Sequence, residues 1–96
     1  MKQTERAFQQ QVIDLALLYR WRVYHTWNAM HSTKGYPDLH LIKPPHSIFA
    51  ELKSDKGKVT QEQQSWLDML KDCGYEAYVW RPGDFDEIVS RLAVQS

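Results

Sequence analysis

Three ionisable residues in the middle of the chain have types and spacing suited to chemistry: Asp38, Glu51 and Lys53. Asp38 follows Pro37 and precedes the apolar run Leu39 to Ile42, while Glu51 and Lys53 close a second run that begins at Ile48. Each run is too short for a helix and is bounded by proline or polar residues, so both are expected to be strands. The intervening Lys43-Pro44-Pro45-His46 fits a turn. In such a hairpin Asp38, near the start of one strand, lies close to Glu51, near the end of the other. Cross-strand neighbours sit roughly 5 Å apart at Cβ, a spacing at which two carboxylates can share a divalent cation. Glu51 and Lys53, two apart, share a strand face while Ala50 and Leu52 turn to a core. The expected product is a metal site with an ammonium beside it.

Each of these residues also has a plainer role. Pro-Asp is a common turn or strand-edge pair. Glu51, between Ala50 and Leu52, is costly to bury unpaired, so it needs water, a cation or a basic partner. Lys53 can be that partner in an ion pair with no catalysis. If the site is real, its ligands are all oxygen: two carboxylates, the Leu52 backbone carbonyl and water. That set favours Mg²⁺ or Mn²⁺ over Zn²⁺. His25, His31, His40 and His46 are scattered and form no His-x-His pair, and one cysteine offers no partner, which argues against a structural zinc site or a His-Asn-His finger. His31, Ser32 and Lys34 are candidate phosphate contacts in a polar loop. His40 shares the face of Asp38, and Trp27 and Tyr36 are core aromatics or DNA-stacking residues, core being the plainer reading.

The elements that must position these groups follow from periodicity. Phe8, Val12, Leu15, Ala16 and Tyr19 recur at helical spacing over residues 4–19, and Ile13, Leu17 and Leu18 widen the apolar face beyond what one small sheet needs. Trp21 to Trp27 alternates as a strand, and Asn28 to Tyr36 reads as a loop. Thr60 with Gln63 forms a capping-box pattern ahead of a helix whose buried stripe is Trp66, Leu67 and Leu70 and which stops before Gly74. Cys73 is expected to pack on that helix. Glu76 to Trp80 is a further strand stopped by Pro82-Gly83. Asp84 with Glu87 gives a second cap signal for a last helix lined by Phe85, Ile88, Val89 and Leu92. The order α-β-β-β-α-β-α predicts an α/β domain, a small mixed sheet flanked by helices.

With 96 residues there is room for one domain, 1–96. A single cysteine excludes an internal disulfide framework and fits a reducing cytoplasm. The longest apolar run, Leu15 to Leu18, is far too short to span a membrane, so a soluble, intracellular protein of bacterial or viral origin is expected. Net charge is zero, yet residues 20–60 carry seven basic against three acidic residues and residues 61–96 the reverse. The segment that holds the candidate site is the basic one. The acidic remainder weakens non-specific attraction to phosphates.

Ser32-Thr33-Lys34-Gly35-Tyr36-Pro37-Asp38-Leu39, then Glu51-Leu52-Lys53, then Thr60-Gln61-Glu62-Gln63-Gln64-Ser65-Trp66, in that order, resemble the PD-(D/E)xK nuclease superfamily. The nearer likeness is to its virus-type replication-repair nuclease family, and Glu5, with Phe8 and Gln9 behind it, agrees. The resemblance implies a restriction-endonuclease-like fold and metal-dependent hydrolysis of DNA that leaves 5′-phosphates, with Lys53 orienting water or steadying the developing oxyanion. It places Glu5 near the metal, although a Glu in a first helical turn is favourable for the helix dipole alone. It points to Gln63 as a glutamine facing the site, where capping already gives it a partner; Gln64 is the rival. Stand-alone proteins of this appearance act on branched DNA, including four-way (Holliday) junctions. Two symmetric cuts and the surplus apolar surface of the first helix both point to a homodimer. The competing reading is a non-catalytic nucleic-acid-binding module that retains the fold.

Overall fold

The computed structural model describes residues 3–27 and 33–94. Helix α1 (Glu5–Leu18) leads into strand β1 (Arg22–His25), and the hairpin β2 (Leu39–Lys43) and β3 (His46–Leu52) follows. Helix α2 (Gln61–Asp72) then crosses to β4 (Glu76–Trp80), and a 3-10 turn, Pro82–Asp84, opens onto α3 (Phe85–Leu92). The element order is the expected one. The sheet runs β1-β2-β3-β4, with the first two pairings antiparallel and β3–β4 parallel. A parallel pair needs a long crossover, and α2 supplies it.

Burial divides the sheet into two faces. On one, Phe8, Val12 and Ala16 of α1 and Ile88 and Leu92 of α3 close over Leu39, Leu41, Ile48, Ala50, Leu52 and Trp80. On the other, Phe49, Leu67 and Ala77 make a smaller cluster, flanked by Tyr36, Leu70 and Val79. Of the expected α2 stripe, Leu67 is buried, and Trp66 and Leu70 are half-buried. Truncating a fully buried residue such as Phe8 to Ala would cost roughly 3–5 kcal/mol. Lys43 ties the larger layer shut: its Nζ donates to Tyr19 O and Val94 O at 2.8 Å each. The Trp21 indole N–H donates to Leu92 O at 2.9 Å.

Both longer helices end in a Schellman turn. In α2 the left-handed residue is Gly74, with Tyr75 N–H donating to Leu70 O. In α1 it is Arg20, at φ 70°, with Trp21 N–H donating to Ala16 O.

Three local expectations are corrected. Trp27 is 75% exposed, because β1 ends at His25 and the indole lies beyond the core. Cys73 is exposed at the C-terminal cap of α2. Asp84 does not cap α3 with its side chain; its carboxylate instead accepts from Arg81 N–H at 2.9 Å, closing the 3-10 turn. The surplus apolar surface expected of α1 is present: Leu17 and Leu18 are 55% and 72% exposed. No helix among the described residues is long and apolar enough to cross a membrane.

Candidate metal and catalytic site

The hairpin register explains why Asp38 and Glu51 meet. Leu39 pairs with Ala50, so the residues one step outward, Asp38 and Glu51, lie across from each other where β2 begins and β3 ends. Strand alternation turns both away from the α1 face that holds Leu39, Ala50 and Leu52. Asp38 is then oriented by backbone: the Leu52 N–H donates to its Oδ2 at 2.7 Å. In an extended strand a residue's N–H and C=O face the same neighbouring strand, so the Leu52 carbonyl is directed to the Asp38 side as well. Thr26 steadies the segment from β1, its N–H donating to Asp38 O and its hydroxyl to Pro37 O, both at 2.8 Å.

Glu51 is 2% exposed and flanked by two donors on one oxygen. Gln63 Nε2 donates to its Oε2 at 3.0 Å, and Lys53 Nζ, also buried, lies 3.8 Å from the same atom. Oε1 is buried with no partner among the described residues. Burial, with the Asp38 carboxylate next in weight and Glu5 adding to it, pushes the Glu51 carboxyl up to about 8; Lys53 opposes the shift. The raised value favours the neutral acid near pH 7, with Oε1, the oxygen turned from the donors, left to carry its proton. Replacing it with a divalent cation would satisfy the orphaned oxygen and turn the repulsion between two carboxylates into shared ligation. The all-oxygen donor set fits a hard cation.

Gln63 serves two masters with one amide. Its Oε1 accepts from Thr60 N–H at 2.9 Å, completing the capping box, while its Nε2 reaches Glu51. Only that orientation satisfies both partners, since a backbone N–H and a carboxylate cannot exchange roles. Gln64 is exposed and bonds Asp68, so the rival is placed away from Glu51. Glu5 is exposed at the first turn of α1, and no three His, Cys, Asp or Glu side chains among the described residues form a metal-holding group. Its negative charge still bears on Glu51. His40 stacks on Phe49 at 4.0 Å and bonds Ser47 at 2.9 Å, which occupies its ring on the sheet rather than beside the carboxylates. Lys34 is exposed next to the start of α2, and its carbonyl accepts from the Trp66 indole at 3.1 Å. His31 and Ser32 lie outside the described residues.

Two supports carried no local signal in the sequence. Gly35, at φ +92°, crosses so close to α2 that a Cβ there would meet the Glu62 backbone at 2.6 Å. Arg81 reaches back from the end of β4, its Nη1 donating to Ser54 O and Gly57 O at 2.7 Å each, and so shapes the turn that follows Lys53.

The VRR-NUC domain family model matches residues 2–82. A solved structure of a VRR-NUC domain protein superposes with a TM-score of 0.72 at 24% identity, covering 96% of this chain and 87% of that one. No curated protein sequence matches.

Proposed function

The chain belongs to the VRR-NUC nuclease family, and from that premise we propose that it is a Mg²⁺- or Mn²⁺-dependent deoxyribonuclease that prefers branched DNA. The observation that carries the reading is Glu51: a buried carboxyl raised to about 8, beside a second carboxylate and with one oxygen unpartnered. Such a group is expensive to keep unless something compensates it, and a structural ion pair would have satisfied both oxygens. Asp38, Glu51 and the Leu52 carbonyl would hold the cation, with Glu5 reached through water. The cation supplies neutralisation of charge on the scissile phosphate and acidifies the attacking water. Lys53 contributes an ammonium fixed by the strand pair, a point charge with several donor directions that orients a water or steadies an oxyanion. Gln63 and Lys53 both face Glu51 Oε2, which leaves Oε1 for the cation. Burial of the cluster keeps bulk water from competing for these donors.

Preference for branched DNA rests on what surrounds the site. The basic residues cluster in 20–60, and the acidic balance of 61–96 weakens the hold on uniform duplex. A four-way junction has two-fold symmetry, and a homodimer through the exposed Leu17 and Leu18 would present two sites to it. The test is a panel of labelled four-way junction, flap and linear duplex at matched salt with Mg²⁺ or Mn²⁺, alongside light scattering. The expected result is a faster initial rate on the junction and dimer mass. Equal rates would leave a general endonuclease. Binding without cleavage under every metal condition would favour the non-catalytic module.

A further inference from the structure

We propose that the groove between the start of α1 and the end of β1 takes an unpaired base of the substrate strand, with Trp27 as the stacking platform and Arg6 on the adjoining phosphate. This rests on the nuclease reading above and deepens it, naming the part of a branched DNA that the protein grips.

Trp27 is the most exposed large hydrophobic side chain among the described residues, so its indole adds little to the core. It is nevertheless held in place. The His25 ring packs against it at 4.7 Å between centroids, tilted by 40°, and Gln9 on α1 bonds His25 Nε2 at 2.8 Å. An exposed indole with a fixed backing is a surface for a planar partner. Beside it lies a groove of about 550 Å³ whose lining includes Arg6, Gln9, Gln10, His25 and Trp27, within the usual range for small-ligand clefts, roughly 300–1,000 Å³. The lining combines what single-stranded nucleic acid needs, an aromatic face for a base and a guanidinium for phosphate, while the Gln9 and Gln10 amides are engaged by His25 and Asp14. Arg6 forms no ion pair among the described residues, so its charge is available.

Position links the groove to the carboxylates. Thr26, the residue before Trp27, donates its N–H to Asp38 O, and Arg6 follows Glu5, whose charge acts on Glu51. Trp27 therefore emerges at the Asp38 end of the sheet, on the α1 side and opposite the face to which Asp38 and Glu51 turn, so a strand gripped there would pass round that end to reach them. A base inside a duplex is stacked and out of reach, whereas a branch point or frayed end can place one in the groove.

The experiment measures binding without cleavage, in EDTA, using oligothymidylate of roughly eight nucleotides and a blunt duplex of equal length. Fluorescence anisotropy gives affinity and intrinsic tryptophan emission reports stacking. Oligothymidylate is expected to quench the wild-type emission. Trp27→Ala is expected to weaken oligothymidylate binding on the order of tenfold and to remove the quench. Trp27→Phe should keep most of the affinity, and duplex binding should be the same in all three. Equal oligothymidylate affinity for wild type and Trp27→Ala, both folded by circular dichroism, overturns the proposal. Because no turnover is read, failure of the nuclease reading and failure of this one are distinguishable.

Discussion

Glu76 on β4 and Glu51 on the adjacent β3 each meet a basic side chain, and the two pairs end in opposite states. Arg91 grips both oxygens of Glu76, its Nε donating to Oε2 at 2.8 Å and its Nη2 to Oε1, and the Tyr78 hydroxyl adds a third donor at 2.8 Å. These contacts, the Arg91 bonds foremost, hold the Glu76 carboxyl below the usual carboxylate range. Glu51 has a more distant lysine, one amide and a bare oxygen, and its carboxyl is raised. A fork-shaped guanidinium at a partly exposed site completes a carboxylate; a point-charge ammonium in a buried one leaves it wanting. The first pair is complete within the fold, and the second leaves one buried oxygen without a partner among the described residues.

The strongest way to break that contrast is to neutralise each acid in turn. Glu51→Gln is expected to lower cleavage by roughly 10³-fold or more while the protein stays folded, and Asp38→Ala and Lys53→Ala to act similarly, since members of one catalytic unit fail together. Glu76→Gln should leave the initial rate near wild type and cost about 1 kcal/mol of stability, a modest figure because the pair is partly exposed and screened. Cleavage rates and thermal melts on the same preparations decide the matter. Full activity of Glu51→Gln would remove the site.

A subtler effect separates the pairs by pH. Glu51 binds a proton more tightly folded than unfolded, so its contribution to metal-free stability falls as pH rises from about 4.5 through about 8. Glu76 has the reverse sign: its lowered value gives stability that is present above the unfolded value of 4.5 and is lost as pH falls below it. The expected observation is a metal-free melting temperature that declines between roughly pH 5 and 9, a decline that Mg²⁺ offsets at the upper end and that Glu51→Gln flattens. Mg²⁺ binding at neutral pH should release protons, measurable by calorimetry in buffers of different ionisation enthalpy.

The smallest effect concerns how the helices stop. Arg20 occupies a left-handed position that costs a side chain roughly 1–2 kcal/mol, and glycine's greater unfolded-state freedom offsets roughly 0.5–1 kcal/mol of that. Arg20→Gly should therefore raise stability by under about 1 kcal/mol, with cleavage unaffected, as read by denaturant melts.

Those two stops also show what is legible in this chain. Gly74 announces the end of α2, whereas α1 ends at an arginine that has no propensity for the conformation it adopts, so its boundary is blurred in sequence. The meeting of Asp38 with Glu51 is readable because alternation and a short turn leave little freedom in a hairpin. Gln63 is readable twice over, as a cap and as a neighbour of the site, and its single amide fills both places. The misplacement of Trp27 has a general cause: residue type tells that an indole wants cover, not whether the strand is long enough to give it. Arg81 is invisible for another reason, since its partners lie 24 and 27 residues earlier and depend on the β3–β4 pairing.

The close passage of Gly35 over α2 bears on how this molecule can change. A side chain there would strike the backbone C and O of Glu62 as well as its Cβ, so no substitution at Glu62 relieves the contact. With Lys34 O also held by Trp66, the chain is pinned just before it enters Asp38. A side chain at Gly35 would therefore be felt at Asp38, whose register with Glu51 depends on where the chain enters β2.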